Sequence, residues 1–158
     1  MTTNNEIHPI KTPRWLLTVA VVLSYLFLGT AWAADGFVFV HNAANPIHSL
    51  NKDAAKKAFT GQTKEWANGT MVQIVLPKKG SPEMKWLAES VFGISEDLLL
   101  SKIKQETFKG ELRKPVVADS ASECVEQIKG NAGAIGVVSA DAAKTLPSGV
   151  AAASSDIK

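Results

Sequence analysis

Met71–Phe92, MVQIVLPKKGSPEMKWLAESVF, reads as a buried strand, a Lys-Lys-Gly-Ser loop and a helix. Met71 to Leu76 is a short apolar run rich in β-branched residues, as expected of a strand covered on both faces. Pro82 suits the first position of a helix, where its missing N–H costs nothing, and Ser81 before it is a favourable N-cap. Met84, Leu87, Ala88 and Val91 then recur at i, i+3, i+4 and i+7, which gives the helix one apolar face. A helix N-terminus carries partial positive charge and unpaired N–H groups. With Lys78, Lys79, Gly80 and Ser81 beside it, this joint has two readings: a small-anion site, or an ordinary capped strand–loop–helix joint whose lysines are simply solvated and which binds nothing.

Outward from this joint the pattern alternates. Phe37–His41 is an apolar strand, and Asn45-Pro46 turns the chain. Asn51 caps a helix with Ala54, Ala55, Ala58 and Phe59 on its inner face, and Gly61 ends it. Trp66 and an Asn68-Gly69 turn precede the central strand. Ser95 opens a further helix with Glu96 and Asp97 in its first turn, buried through Leu99, Leu100, Ile103 and Thr107. Val116–Ala118 is a short strand, and Ser120 leads into a helix through Cys124 that stops at Gly130. Gly133–Val138 is a buried strand of small residues, and Val150–Ala153 a weak final one. The order β-α-β-α-α-β-α-β predicts an α/β sheet covered on both faces, with Phe59, Leu87 and Ile135 in one core.

The N-terminal residues read differently. Lys11 and Arg14 precede an apolar run from Trp15 to Leu28, and Ala31-Trp32-Ala33 follows as an A-x-A cleavage pattern. Residues 1–33 are therefore expected to be a signal peptide, or an uncleaved anchor, because Trp15–Ala34 is also 20 residues without a charge. Residues 34–158 are the single exported domain, expected in the periplasm, with the membrane touched only through the N-terminal segment if that stays uncleaved.

Composition bounds the chemistry. The formal net charge of the 158 residues is +2, and no basic stripe is interleaved with aromatics, so a nucleic-acid partner is not expected. Cys124 is the only cysteine, which excludes an intramolecular disulfide, and its helical neighbours Ala121, Val125 and Ile128 assign it to packing. The sequence has no G-x-S-x-G elbow, Walker loop or G-x-G-x-x-G, and no His/Cys/carboxylate set with metal-ligand spacing. No enzyme activity, metal or cofactor is expected. His41 and His48 read as strand-end and loop residues.

Three segments together resemble one family. Asn45-Pro46 followed by SLNKDAAKKAFTGQTKEW is similar to an N-P, S-L and later F-x-G-x-x-x-x-W element of phosphate-type periplasmic substrate-binding proteins, with Phe59, Gly61 and Trp66 in the pattern's places. VLPKKGSPEMKWL resembles the strand and anion loop that follow it, and NAGAIGVVS a late P-G-A-I-G-Y-V-S strand. The resemblance runs from Phe37 to Ser139 and implies one lobe of the type II periplasmic-binding-protein fold, a mixed sheet covered by helices. It further implies a solute-binding module for a small anion such as phosphate, with Lys78, Lys79, Gly80, Ser81 and Glu83 as the ligand-binding residues. The other reading is an accessory lobe that meets an envelope protein and binds no small molecule. The family's two-lobed members carry an arginine and a G-S-G-T loop. Here Pro77 stands near the arginine's place, Gly80 and Ser81 match, and Pro82 and Glu83 replace the next glycine and threonine. Pro82 removes a donor and Glu83 adds repulsion, so the resemblance implies weak anion binding, and lysines lack arginine's bidentate fork. Mass spectrometry of the exported protein should show a chain beginning at Ala34; one beginning at Met1 or Thr2 would identify an anchor instead.

Overall fold

A computed structural model describes residues 36–155 and 157. The expected signal peptide lies outside the described residues. Five strands form one mixed sheet in the order β3-β2-β4-β1-β5. In chain order the elements are β1 (Phe37–Asn42), α1 (Lys52–Phe59), β2 (Gln73–Pro77), α2 (Pro82–Trp86, continuing through Leu87–Phe92 as a wider π-type turn), α3 (Glu96–Phe108), β3 (Val116–Ala118), α4 (Ala121–Lys129), β4 (Ala134–Ser139), α5 (Ala140–Ala143) and β5 (Val150–Ala153).

The expected caps form. Asn51, Ser81, Ser95 and Ser120 each accept the N–H three residues on, at Ala54, Met84, Leu98 and Glu123. Two strand limits differ from the sequence reading. The central strand begins at Gln73 rather than Met71, because Val72 donates its N–H to the Lys64 carbonyl and Met71 lies exposed opposite Glu65. The strand expected over Gly133–Val138 is displaced by one residue to Ala134–Ser139, and its Ser139 caps α5.

β2 pairs in parallel with both β3 (Val75 opposite Val116) and β4 (Ile74 opposite Ile135). β1 runs antiparallel to β4 and to β5. From β2 the chain crosses to β3 through α2 and α3, then back past β2 to β4 through α4. Parallel crossovers are right-handed, so two crossovers in opposite directions must use opposite faces of the sheet. The cores obey this. On one face Phe39, Ile74, Leu76, Ile135 and Val137 pack with Phe59 of α1, Met84 and Leu87 of α2 and Leu99 of α3. The residues between them, Val40, Val75, Ala134 and Val138, point to the other face and pack with Cys124 and Ile128 of α4.

Gly136 sets how closely α4 approaches. A Cβ there would stand 2.7 Å from Cys124 Sγ and 3.1 Å from Ile128 Cδ1, so the helix lies on bare backbone. Asn42, at the end of β1, fastens the other end of α4. Its Nδ2 donates to the carbonyls of Ile128 (2.9 Å) and Lys129 (3.2 Å) at the helix C-terminus, where Ile128 also accepts the Asn131 N–H.

Phe59, Leu87 and Ile135 share one core, and Phe59 is fully buried against Phe39 at a ring-centroid distance of 6.0 Å. Denaturant unfolding of Phe59→Ala should show a loss of roughly 3–5 kcal/mol, the cost of truncating a buried aromatic. A loss under about 1 kcal/mol would contradict the burial of this ring.

Candidate functional site

The carboxyl ends of β2 and β3 open on a cleft of about 270 Å³. Its floor is made by Pro77, Ala118, Val137 and Cys124, and its walls by Lys78, Ser81, Pro82 and Glu83 on one side and Asp119, Ser120 and Ala121 on the other. Successive parallel strands lie on either side of β2, so the cleft stands where the strand order reverses. In open α/β sheets that crevice, at the carboxyl ends, is where ligands bind. The N-termini of α2 and α4 both open here, each with a serine cap that lines the cleft.

The expected anion loop divides between this cleft and the start of α3. Lys78, Ser81 and Glu83 line the cleft. Lys79 and Gly80 instead meet the first turn of α3: Lys79 pairs with Asp97, and the Gly80 N–H donates to Glu96 Oε1 at 2.9 Å. Gly80 has φ of +84°, a left-handed conformation that glycine adopts without strain and that aims this N–H at α3. Lys78 pairs across the cleft mouth with Asp119 at 3.3 Å. Ser81 accepts the Met84 N–H at 3.2 Å, its own N–H donates to the Lys78 carbonyl, and the Lys78 N–H donates to Ala118. Two lysines therefore stand among four carboxylates, Glu83, Glu96, Asp97 and Asp119, and the loop's N–H groups at Lys78, Gly80, Ser81 and Met84 are engaged inside the protein. The Asp97 carboxylate, through its hydrogen bond and its charge, holds the Lys79 ammonium above its ordinary value, so it stays protonated at any physiological pH.

The Asp119–Ser120–Ala121 wall was not read from the sequence as part of a site. Ser120 was legible as a helix cap, but only the placement of β3 beside β2 brings it next to Ser81. Ser120 accepts the Glu123 N–H at 3.2 Å, and Glu123 Oε2 accepts the Asp119 N–H at 2.8 Å, a reciprocal box that fixes the start of α4.

Among the described residues no three His, Cys, Asp or Glu side chains are placed to hold a metal ion, and no helix is long and apolar enough to cross a membrane.

A model of the PBP superfamily domain matches residues 29–156. The chain belongs to that family. It shares its fold with an ABC-type phosphate transport receptor from Vibrio cholerae (18% identity, TM-score 0.51), which it matches over 77% of its own length and 46% of that protein's. A phosphate ABC transporter substrate-binding protein with bound phosphate from Clostridium perfringens aligns at 21% identity and TM-score 0.58, over 77% of this chain and 45% of that one. PstS from Borrelia burgdorferi aligns at 18% and TM-score 0.58, over 77% and 47%. The chain thus spans about half the length of each of these relatives. No curated protein sequence matches it. The expected α/β architecture, one mixed sheet of the periplasmic-binding-protein fold covered by helices, is the one observed.

Cys124 is buried at the cleft floor, its Sγ 3.8 Å from the Val137 carbonyl oxygen. Burial raises its pKa from 9.0 to about 12, so the group is a packed thiol rather than a nucleophile. Below the thiol's unfolded pKa both states keep the proton. Between pH 9.0 and about 12 the unfolded chain loses it while the folded chain keeps it, so stability falls as pH rises through that window. Urea unfolding at pH 8 and pH 10.5 should therefore show a larger alkaline loss for the parent than for Cys124→Ala; equal losses would count against the raised pKa.

Proposed function

We propose that this chain is an exported, non-enzymatic solute-binding module that seats a small anion such as phosphate in the cleft at the carboxyl ends of β2 and β3. The observation that carries the reading is the convergence of two capped helix N-termini, at Ser81 and Ser120, on one cleft at the strand-order reversal of a PBP-family domain. The phosphate receptors with which it shares the fold support the same ligand class. In this reading Lys78, Ser81 and the first turn of α2 at Glu83 face the anion directly. Lys79 and Gly80 shape the loop and add long-range potential. A solvent-open cleft with internal carboxylates on its donors binds weakly, at millimolar anion, and binding falls with salt. The protein acts in the periplasm, and its role is capture rather than chemistry.

One observation favours a second reading, an accessory lobe that meets an envelope protein and takes no small ligand. Glu96, Asp97 and Asp119 already occupy the Gly80 N–H and both lysines, so the loop is satisfied without an external anion.

An NMR titration with phosphate and sulfate separates the two. Anion binding should shift the amides of Ser81, Glu83 and Met84 together with those of Ser120 and Ala121. Asp119→Asn and Glu96→Gln release Lys78 and the Gly80 N–H, and each should tighten binding roughly two- to fivefold, the scale of an exposed charge pair. Lys78→Ala should weaken it. No amide shifts at millimolar anion in the parent or in either released variant would leave the accessory lobe.

A further inference from the structure

The cleft at the carboxyl ends of β2 and β3 is larger and more acidic than a lone phosphate ion calls for. Its volume of about 270 Å³ holds roughly nine waters at about 30 Å³ each, more room than one phosphate ion fills. Among the described residues that line it, Lys78 is the one cation, against the carboxylates of Glu83 and Asp119 on opposite walls. Lys78 is paired with Asp119 at 3.3 Å. The Glu83 carboxylate is half-buried and has no ion-pair partner among the described residues. Its charge reaches the cleft floor: burial is the main cause of the raised Cys124 thiol pKa, and the negative charges of Glu83 and Glu123 add to that rise.

We propose that the ligand of this cleft is a phosphoryl compound that carries an ammonium group on a short arm. Its phosphoryl group lies at Lys78 and the Ser81 and Ser120 caps, and its ammonium group between Glu83 and Asp119. The inference rests on the reading of the cleft as a small-anion site and adds the other half of the ligand. Charge pairing carries it. A bare anion that draws Lys78 to itself leaves Asp119 without its partner and sets a further negative charge beside Glu83. An ammonium group on the same molecule takes the place at Asp119 that Lys78 gives up, and it also supplies Glu83 with a partner. The exchange keeps every charge in the cleft paired. A short arm suffices, because each carboxylate lies close in sequence to a cap: Glu83 is in the first turn after Ser81, and Asp119 directly precedes Ser120. A phosphate ester without the ammonium group meets both carboxylates with like charge, so the cleft selects against it.

NMR titration of the protein as purified from cells tests this, with O-phosphoethanolamine, ethyl phosphate and inorganic phosphate as probes. The two esters differ only in the ammonium group. O-Phosphoethanolamine should bind roughly three- to fivefold more tightly than ethyl phosphate, the scale of one exposed charge pair. Glu83→Gln should remove most of that advantage by weakening the first ester and strengthening the second, and Asp119→Asn should act in the same direction. Circular dichroism matching the parent's confirms that both variants fold. Glycerophosphoethanolamine carries the same two groups as a lipid headgroup. Binding as tight as that of O-phosphoethanolamine assigns the ligand to headgroups, and weaker binding assigns it to a free phosphomonoester; both support the class. Equal affinity for the two esters in the parent, or an advantage untouched by both substitutions, overturns the proposal and leaves the anion site standing. No amide shift with any probe, in the parent or in Asp119→Asn, overturns the anion site and this inference with it.

Discussion

Everything in this domain is referred to β2. The strand is buried at every position from Gln73 to Pro77 and is hydrogen-bonded on both sides by parallel neighbours. A strand in that position must be apolar on both faces, which QIVLP nearly is; the amide of Gln73, its one polar side chain, is satisfied by the carbonyls of Ile74 and Lys114. Because β3 and β4 flank it in parallel, their crossovers leave from the same end and cover opposite faces. That single constraint puts the starts of α2 and α4 side by side without any direct bond between them. The cleft is thus a consequence of connectivity, and the side chains on it decide its chemistry.

Those side chains work against one another. Lysines beside a helix N-terminus raise the potential for an anion, but the nearest anions are the protein's own. Glu96 reaches back from α3 to Gly80, and Asp119 reaches across from the end of β3 to Lys78. Each pair is exposed, so each is individually weak and screened by salt. A ligand must compete with three such contacts, and any free energy of binding is what remains after displacing or tolerating them. The same contacts hold the loop in one shape, which lowers the ordering cost on binding.

Much of this fold was legible because local rules and tertiary needs agree. Asn51, Ser81, Ser95 and Ser120 were readable as caps, and each accepts the N–H its position demands. The faces of Phe59, Leu87 and Ile135 follow from spacing alone, and they meet in one core. What failed was whatever depends on strand order. Glu96 and Asp97 read as favourable first-turn acids of α3, and they are, but nothing in their spacing says that Lys79 and Gly80 lie beside them. Asp119 lies between the short strand and the Ser120 cap and carries no signal of its own; only the placement of β3 next to β2 brings it to the cleft. The start of β2 was misplaced for a related reason: Val72 fits a strand pattern, yet its N–H is taken by Lys64 from an adjacent loop. The π-type turn over Leu87–Phe92 keeps Leu87, Ala88 and Val91 buried, so the periodicity that predicted the helix could not reveal it.

The geometry of the second cleft wall rests on contacts far from it. α4 spans the sheet from the cleft to its opposite end, and it is held at that far end and along its length. At the far end Asn42 ties the last carbonyls of the helix to β1, while its Oδ1 accepts the Ala44 N–H and closes the turn that follows. In the middle, Gly136 lets Cys124 and Ile128 sit against the strand backbone. A rod fixed at its base and its midpoint has little freedom at its tip, so Ser120 is aimed before any ligand arrives. Enlarging Gly136 would act on the cleft without touching it: a methyl group 2.7 Å from Cys124 Sγ must displace that side chain, and whatever part of the shift passes to α4 moves the Ser120 wall. The buried polar residues at the base and the small residue in the sheet belong to the site as much as the serines that line it.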